Sequence, residues 1–105
     1  MGMNKLLGSF GEDMACDFIA KSGYRVLERN FSCKAGEVDI IAADGDSIVF
    51  IEVKTRSSGR YGLPSEAVSA AKQRKIVKTA LYYLQLKKLF DYMCRFDVIE
   101  IVMDE

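Results

Sequence analysis

The chain has 105 residues and a mass of 11.8 kDa, with 15 basic and 15 acidic side chains and no histidine. That length fits a single domain, residues 1–105, able to bury roughly 65% of the surface its unfolded form exposes. Half the residues are apolar, but no run approaches the ~18 consecutive apolar residues of a membrane span. The lack of histidine excludes Ser-His and Cys-His nucleophile pairs and histidine-ligated zinc, so any catalysis must use carboxylates, lysines or a metal-bound water.

In chain order, Leu6-Leu7 is too short for the apolar centre of a signal peptide, and the expected location is cytoplasmic. Met14, Ala15, Phe18 and Ile19 recur at helical spacing, which predicts a helix from about Gly8 to Ser22 that stops at Gly23. Tyr24 to Phe31 reads as a strand ending in a loop, Ser32 to Gly36. Val38 to Ala43 and Ile48 to Thr55 are dense β-branched runs separated by Asp44-Gly45-Asp46, a strong hairpin signal. Arg56 to Pro64 reads as a loop, and Ser65 to about Leu86 as one or two helices with an apolar stripe of Ile76, Val77, Ala80, Leu81 and Leu84. A last strand, Arg95 to Val102, completes the order α-β-β-β-α-β and predicts an α/β or α+β sandwich with a mixed sheet. Cys16, Cys33 and Cys94 are widely spaced and lack any CxxC pattern, which argues against a disulfide framework or structural zinc.

The zero net charge hides a polarised chain. From Lys54 to Lys88 there are nine basic residues against one acid, Glu66, giving +8; the remainder holds six bases and fourteen acids, giving −8. Arg56, Arg60, Lys72, Lys75 and Lys78 within this window are candidate contacts for a polyanion such as the phosphate backbone of DNA. A solvated helix face accounts equally well for the helix lysines alone.

The hairpin is the most specific feature. Alternation puts Asp39 and Ile41 on one face and Val38, Ile40 and Ala42 on the other, while the partner strand sets Ile48, Phe50, Glu52 and Lys54 against Val49, Ile51 and Val53. Both faces are mainly apolar, as in strands covered on both sides. A turn at Asp44-Gly45 makes Asp39 diagonal to Glu52; a turn at Gly45-Asp46, or a four-residue loop, makes the two face each other. In each of these cases the carboxylates share a face at separations of ~5–7 Å, close enough to grip one divalent cation, Mg2+ or Mn2+, whereas a three-residue loop would break this parity. Without a cation such a pair repels. Lys54 follows on the same face, placed to orient a water or offset developing charge. The competing interpretation is a salt bridge between Glu52 and Lys54 at a strand end. Glu12 at the edge of the first helix's apolar stripe could reach over the sheet end, or act only as a first-turn acid favoured by the helix dipole. Gly8 and Gly11 would let that helix approach closely.

These residues resemble a family. Gly11-Glu12, Arg29-Asn30, Gly36-Glu37-Val38-Asp39-Ile40-Ile41-Ala42, Val49 through Arg56, the Pro64-to-Val68 segment, Lys72 and Arg95-Phe96-Asp97-Val98 look like the YraN-like bacterial proteins. That family is similar to the PD-(D/E)xK nucleases and, among them, to archaeal Holliday-junction resolvases. The resemblance implies a restriction-endonuclease-like α-β-β-β-α-β core with a mixed central sheet flanked by helices. It further implies that Asp39 and Glu52 bind Mg2+ or Mn2+, that Lys54 is the catalytic lysine and that Glu12 is the acid from the first helix. Val38 stands where that superfamily often has proline.

The expected function is metal-dependent phosphodiester hydrolysis in DNA, including branched or repair intermediates. A DNA-binding module that does not cut and a protein-interaction scaffold are the alternatives, and fold alone does not decide among them. The last strand would leave a sheet edge for a homodimer, or simply a shorter terminus.

Overall fold

The computed structural model describes residues 3–57 and 69–103, which form α1 (Met3–Lys21), β1 (Arg25–Cys33), β2 (Gly36–Asp44), β3 (Ser47–Ser57), α2 (Ala70–Lys87) and β4 (Met93–Met103). The element order is the expected one, α-β-β-β-α-β, and the fold is α/β. The strands make one mixed sheet in the order β1-β2-β3-β4: β1/β2 and β2/β3 are antiparallel and β3/β4 is parallel. A parallel pair needs a crossover, and α2 lies within it.

Local chemistry sets the boundaries. α1 ends in a Schellman motif: Gly23 takes φ +95, its N–H bonds to Ala20 O at 3.1 Å, and the Tyr24 N–H bonds to Ile19 O at 2.9 Å. Ser69 caps α2, its Oγ accepting the Lys72 N–H at 3.2 Å. The expected Ser32-to-Gly36 loop is a tight turn instead, because β1 and β2 stay paired out to Cys33 and Gly36. The strand expected to end at Thr55 continues through Ser57, held by parallel pairing with β4, so Arg56 belongs to β3 and not to a loop. The rest of that loop, Arg60 included, and residues 65–68 of the expected helix lie outside the described residues.

Helices cover the sheet on both faces, as the apolar character of both faces of the hairpin requires. On one side Ala15 and Ile19 of α1 pack on Ile40, Ala42, Val49 and Ile51; on the other Ala80, Tyr83 and Leu84 of α2 pack on Val38, Ile41, Ile48 and Phe50. The α1 stripe is rotated from the expected one. Ala15 and Ile19 are buried, whereas Met14 and Phe18 are 44% and 62% exposed. The contact face runs Gly11-Ala15-Ile19, and the small Gly11 lets the helix sit close: a Cβ there would collide with Oγ1 of Thr55 on β3. On α2 the stripe is Ile76, Ala80, Tyr83 and Leu84 with the buried Thr79, and Val77 and Leu81 face solvent.

β2 departs from strict alternation. Val38 packs in the α2 core with Ile41, not in the α1 core with Ile40 and Ala42. The β1–β2 register runs Arg29↔Ile40 and Phe31↔Val38 without an Asn30–Asp39 pair, and Asn30 takes φ +53, a left-handed conformation that asparagine tolerates better than most residues. The break in the pleat falls at Asp39.

Candidate active site

The β2–β3 turn is Gly45-Asp46, with Asp44 paired to Ser47 and Gly45 at φ +58, where a two-residue hairpin calls for glycine. The ladder ends at Ile40↔Ile51, and Asp39 and Glu52 lie one position beyond it, close enough for their carboxyl groups to interact. There the Asp39 side chain takes over a ladder bond: its Oδ2 accepts the Val53 N–H at 2.8 Å. A main-chain donor at this distance fixes the direction of the carboxyl group.

Glu52 has the opposite surroundings. Its side chain is 11% exposed, and Oε2 is buried with no hydrogen-bond partner. Beside it lies an apolar groove between α2 and β4 with a cavity volume of about 370 Å3, lined by Val38, Phe50, Ile76, Phe96 and Val98 among others. Burial, and then the neighbouring Asp39 carboxyl, push Glu52 up from the ordinary carboxylate range to about 7. Lys72, in the first turn of α2, pulls the other way: its Nζ stands 3.6 Å from Glu52 Oε2, an ion pair but beyond hydrogen-bonding distance.

Lys54 follows Glu52 by two residues on β3, is half-buried, and lies beside Glu100 in the parallel register. It has no ion pair among the described residues; Glu100 pairs with Arg56 at 3.3 Å, and Glu52 pairs with Lys72. The salt bridge between Glu52 and Lys54 weighed from the sequence is therefore not formed. Glu12 lies 3.6 Å from Arg29, which binds Asp13 more closely at 2.8 Å. Arg29 pairs with Ile40, next to Asp39, so α1 brings Glu12 to the right end of the sheet but under the hold of an arginine. Among the described residues no three Cys, Asp or Glu side chains converge on one metal-sized point; the acids that meet are Asp39 and Glu52.

The candidate phosphate-binding residues divide. Lys75 and Lys78 are exposed on α2, Arg56 is engaged with Glu100, and Lys72 reaches the carboxylate pair. Lys72 flanks the apolar stripe of α2 in the sequence, a position open to an ordinary solvated lysine and to one reaching over the sheet end; the structure has it reach Glu52. Its signal is the spacing Ser69-x-x-Lys72, which, once Ser69 is seen as the N-cap, puts the lysine on the sheet-facing side at the open end of the helix.

The pair suits a divalent cation. Mg2+ characteristically takes only one or two carboxylates and fills its other positions with water and phosphate oxygens. The unpartnered Glu52 Oε2 is a buried acceptor of the kind such an ion would satisfy.

The profile of the uncharacterised protein family UPF0102 matches residues 11–101. The chain is 53% identical over 98 residues to a UPF0102 protein of Clostridium perfringens (strain 13), covering 93% of this chain and 80% of that one. A UPF0102 protein of Syntrophus aciditrophicus is 52% identical over 101 residues, covering 96% and 80%, and one of Caldicellulosiruptor saccharolyticus 52% over 103, covering 97% and 87%. Among the described residues no helix is long and apolar enough to cross a membrane.

Proposed function

This chain belongs to the uncharacterised protein family UPF0102, the YraN-like proteins, and from that premise we propose that it is a metal-dependent nuclease acting on phosphodiesters of DNA. The observation that carries the reading is the half-buried Asp39–Glu52 pair, one acid fixed by a main-chain N–H and the other with a buried oxygen that accepts no hydrogen bond. A protein gains no stability from two close acids in an apolar setting. The arrangement makes sense as a binding site for Mg2+ or Mn2+.

A bound divalent cation would supply polarisation of a phosphate oxygen and a lowered pKa for a water. Asp39 is held in place through the Val53 N–H, and the Glu52 carboxyl group lies close enough to interact with it. Lys54, unpaired among the described residues, is the group to orient the attacking water or to offset charge on the phosphate. Lys75 and Lys78 extend from the helix that carries Lys72, and supply backbone contacts that read phosphate and not base sequence. Among the described residues β4 is an edge strand of the sheet, and a homodimer would form there.

The test is incubation of linear and branched DNA with the protein and Mg2+ or Mn2+. Cleavage that chelation stops, and that Asp39→Ala and Lys54→Ala abolish, supports the reading. Binding of DNA without cleavage by the wild type would make the chain a non-catalytic module, and no affinity at low salt would remove DNA as the partner.

A further inference from the structure

We propose that Lys72 is a built-in counter-ion that stands in for the divalent cation in the metal-free protein and must be displaced when the cation binds. The inference rests on the reading of Asp39 and Glu52 as cation ligands and adds a residue that controls their affinity.

The geometry carries it. Lys72 comes from a separate element, and Ser69 anchors its main chain through the 3.2 Å capping bond. Its ammonium stands 3.6 Å from Glu52 Oε2, an oxygen that has no hydrogen bond of its own. The contact therefore supplies charge without satisfying the oxygen. A close charge pair with an unsatisfied buried acceptor is an incomplete interaction, one that a cation in direct contact would replace at a gain. The lysine can leave: its side chain is 49% exposed, so the ammonium can turn to water on a flexible stem, whereas Glu52, at 11%, cannot. Cation and ammonium cannot both sit against Oε2, and like charges at that spacing repel. The lysine thus opposes metal binding while supporting the metal-free fold.

Titration with Mn2+ alone at about pH 8, followed by the electron paramagnetic resonance of free Mn2+, tests this on the wild type, Lys72→Met and Lys72→Arg. Lys72→Met is expected to bind about tenfold more tightly, the equivalent of one pKa unit of charge interaction. Lys72→Arg, which keeps the charge, should stay near wild type. Thermal melts supply a second readout: Lys72→Met should melt below wild type without metal and match it at saturating Mn2+. Equal or weaker Mn2+ binding by Lys72→Met, with wild type binding normally, overturns the counter-ion role alone. Failure of both the wild type and Lys72→Met to bind Mn2+ overturns the metal-site reading and this inference with it.

Discussion

Asp39 and Glu52 were legible in the sequence as neighbours because either even-length turn brings them to the same stretch of the hairpin, and the Gly45-Asp46 turn does so one position past the last ladder pair, at the break in the pleat. Their inequality was not legible. It comes from the left-handed Asn30, which interrupts the β1–β2 ladder beside Asp39, and from a groove wall contributed by residues distant in sequence such as Ile76 and Phe96. The inequality has a measurable consequence. Glu52, raised to about 7 in the folded chain from 4.5, holds a proton between those values when folded and has lost it when unfolded. Stability contributed by that proton is present below about pH 4.5 and is lost as pH rises through about 7. Compared with Glu52→Gln, metal-free wild type should therefore lose ground from pH 5 to 8, by on the order of 2 kcal/mol after allowing for screening by water and the exposed Lys72 ammonium. Saturating Mn2+ should reverse the order above pH 7. Denaturant melts across this range check both signs. Asp39→Asn, which keeps an oxygen for the Val53 N–H, should leave metal-free stability unchanged or raised and abolish the rise in Tm that Mn2+ gives the wild type.

At the scale of elements, the strands were the most legible feature: their β-branched runs are packed on both faces and admit no helix. Helix faces were harder to read. On α1 half of the expected stripe, Ala15 and Ile19, meets the sheet together with Gly11, whose close approach was expected, whereas the larger Met14 and Phe18 turn outward because apolar periodicity alone does not fix which edge of a stripe is buried. Gly11→Ala should collide with Thr55 and cost about 1–3 kcal/mol for overpacking, less about 1 kcal/mol of helix propensity. Thr55→Ala in the same chain removes the colliding hydroxyl. A double-mutant cycle by urea unfolding should then show a favourable coupling of about 1 kcal/mol or more. Additive effects would mean that α1 does not depend on this contact.

Over the whole molecule, the polarised charge of the sequence survives only in part as a free basic surface. Arg56 and Lys72 are committed to Glu100 and Glu52, and Lys75 and Lys78 are exposed on α2. These pairings join residues far apart in the chain, so no charge count could expose them. If DNA binds along α2, replacing both Lys75 and Lys78 by Gln should flatten the dependence of log K on log salt by up to about 1.8; Arg56→Gln should act chiefly on stability through Glu100. Filter binding across a salt series separates these effects, and an unchanged slope in the double variant would move the interface elsewhere. The central claim, that Asp39 and Glu52 jointly hold a divalent cation, is tested most directly by anomalous diffraction from a crystal soaked in Mn2+. One peak is expected within coordination distance of a carboxylate oxygen of Asp39 and of Glu52 Oε2, with the Lys72 ammonium withdrawn. A crystal that gathers Mn2+ elsewhere yet shows no peak between the two carboxylates, and Lys72 still against Glu52, would contradict it.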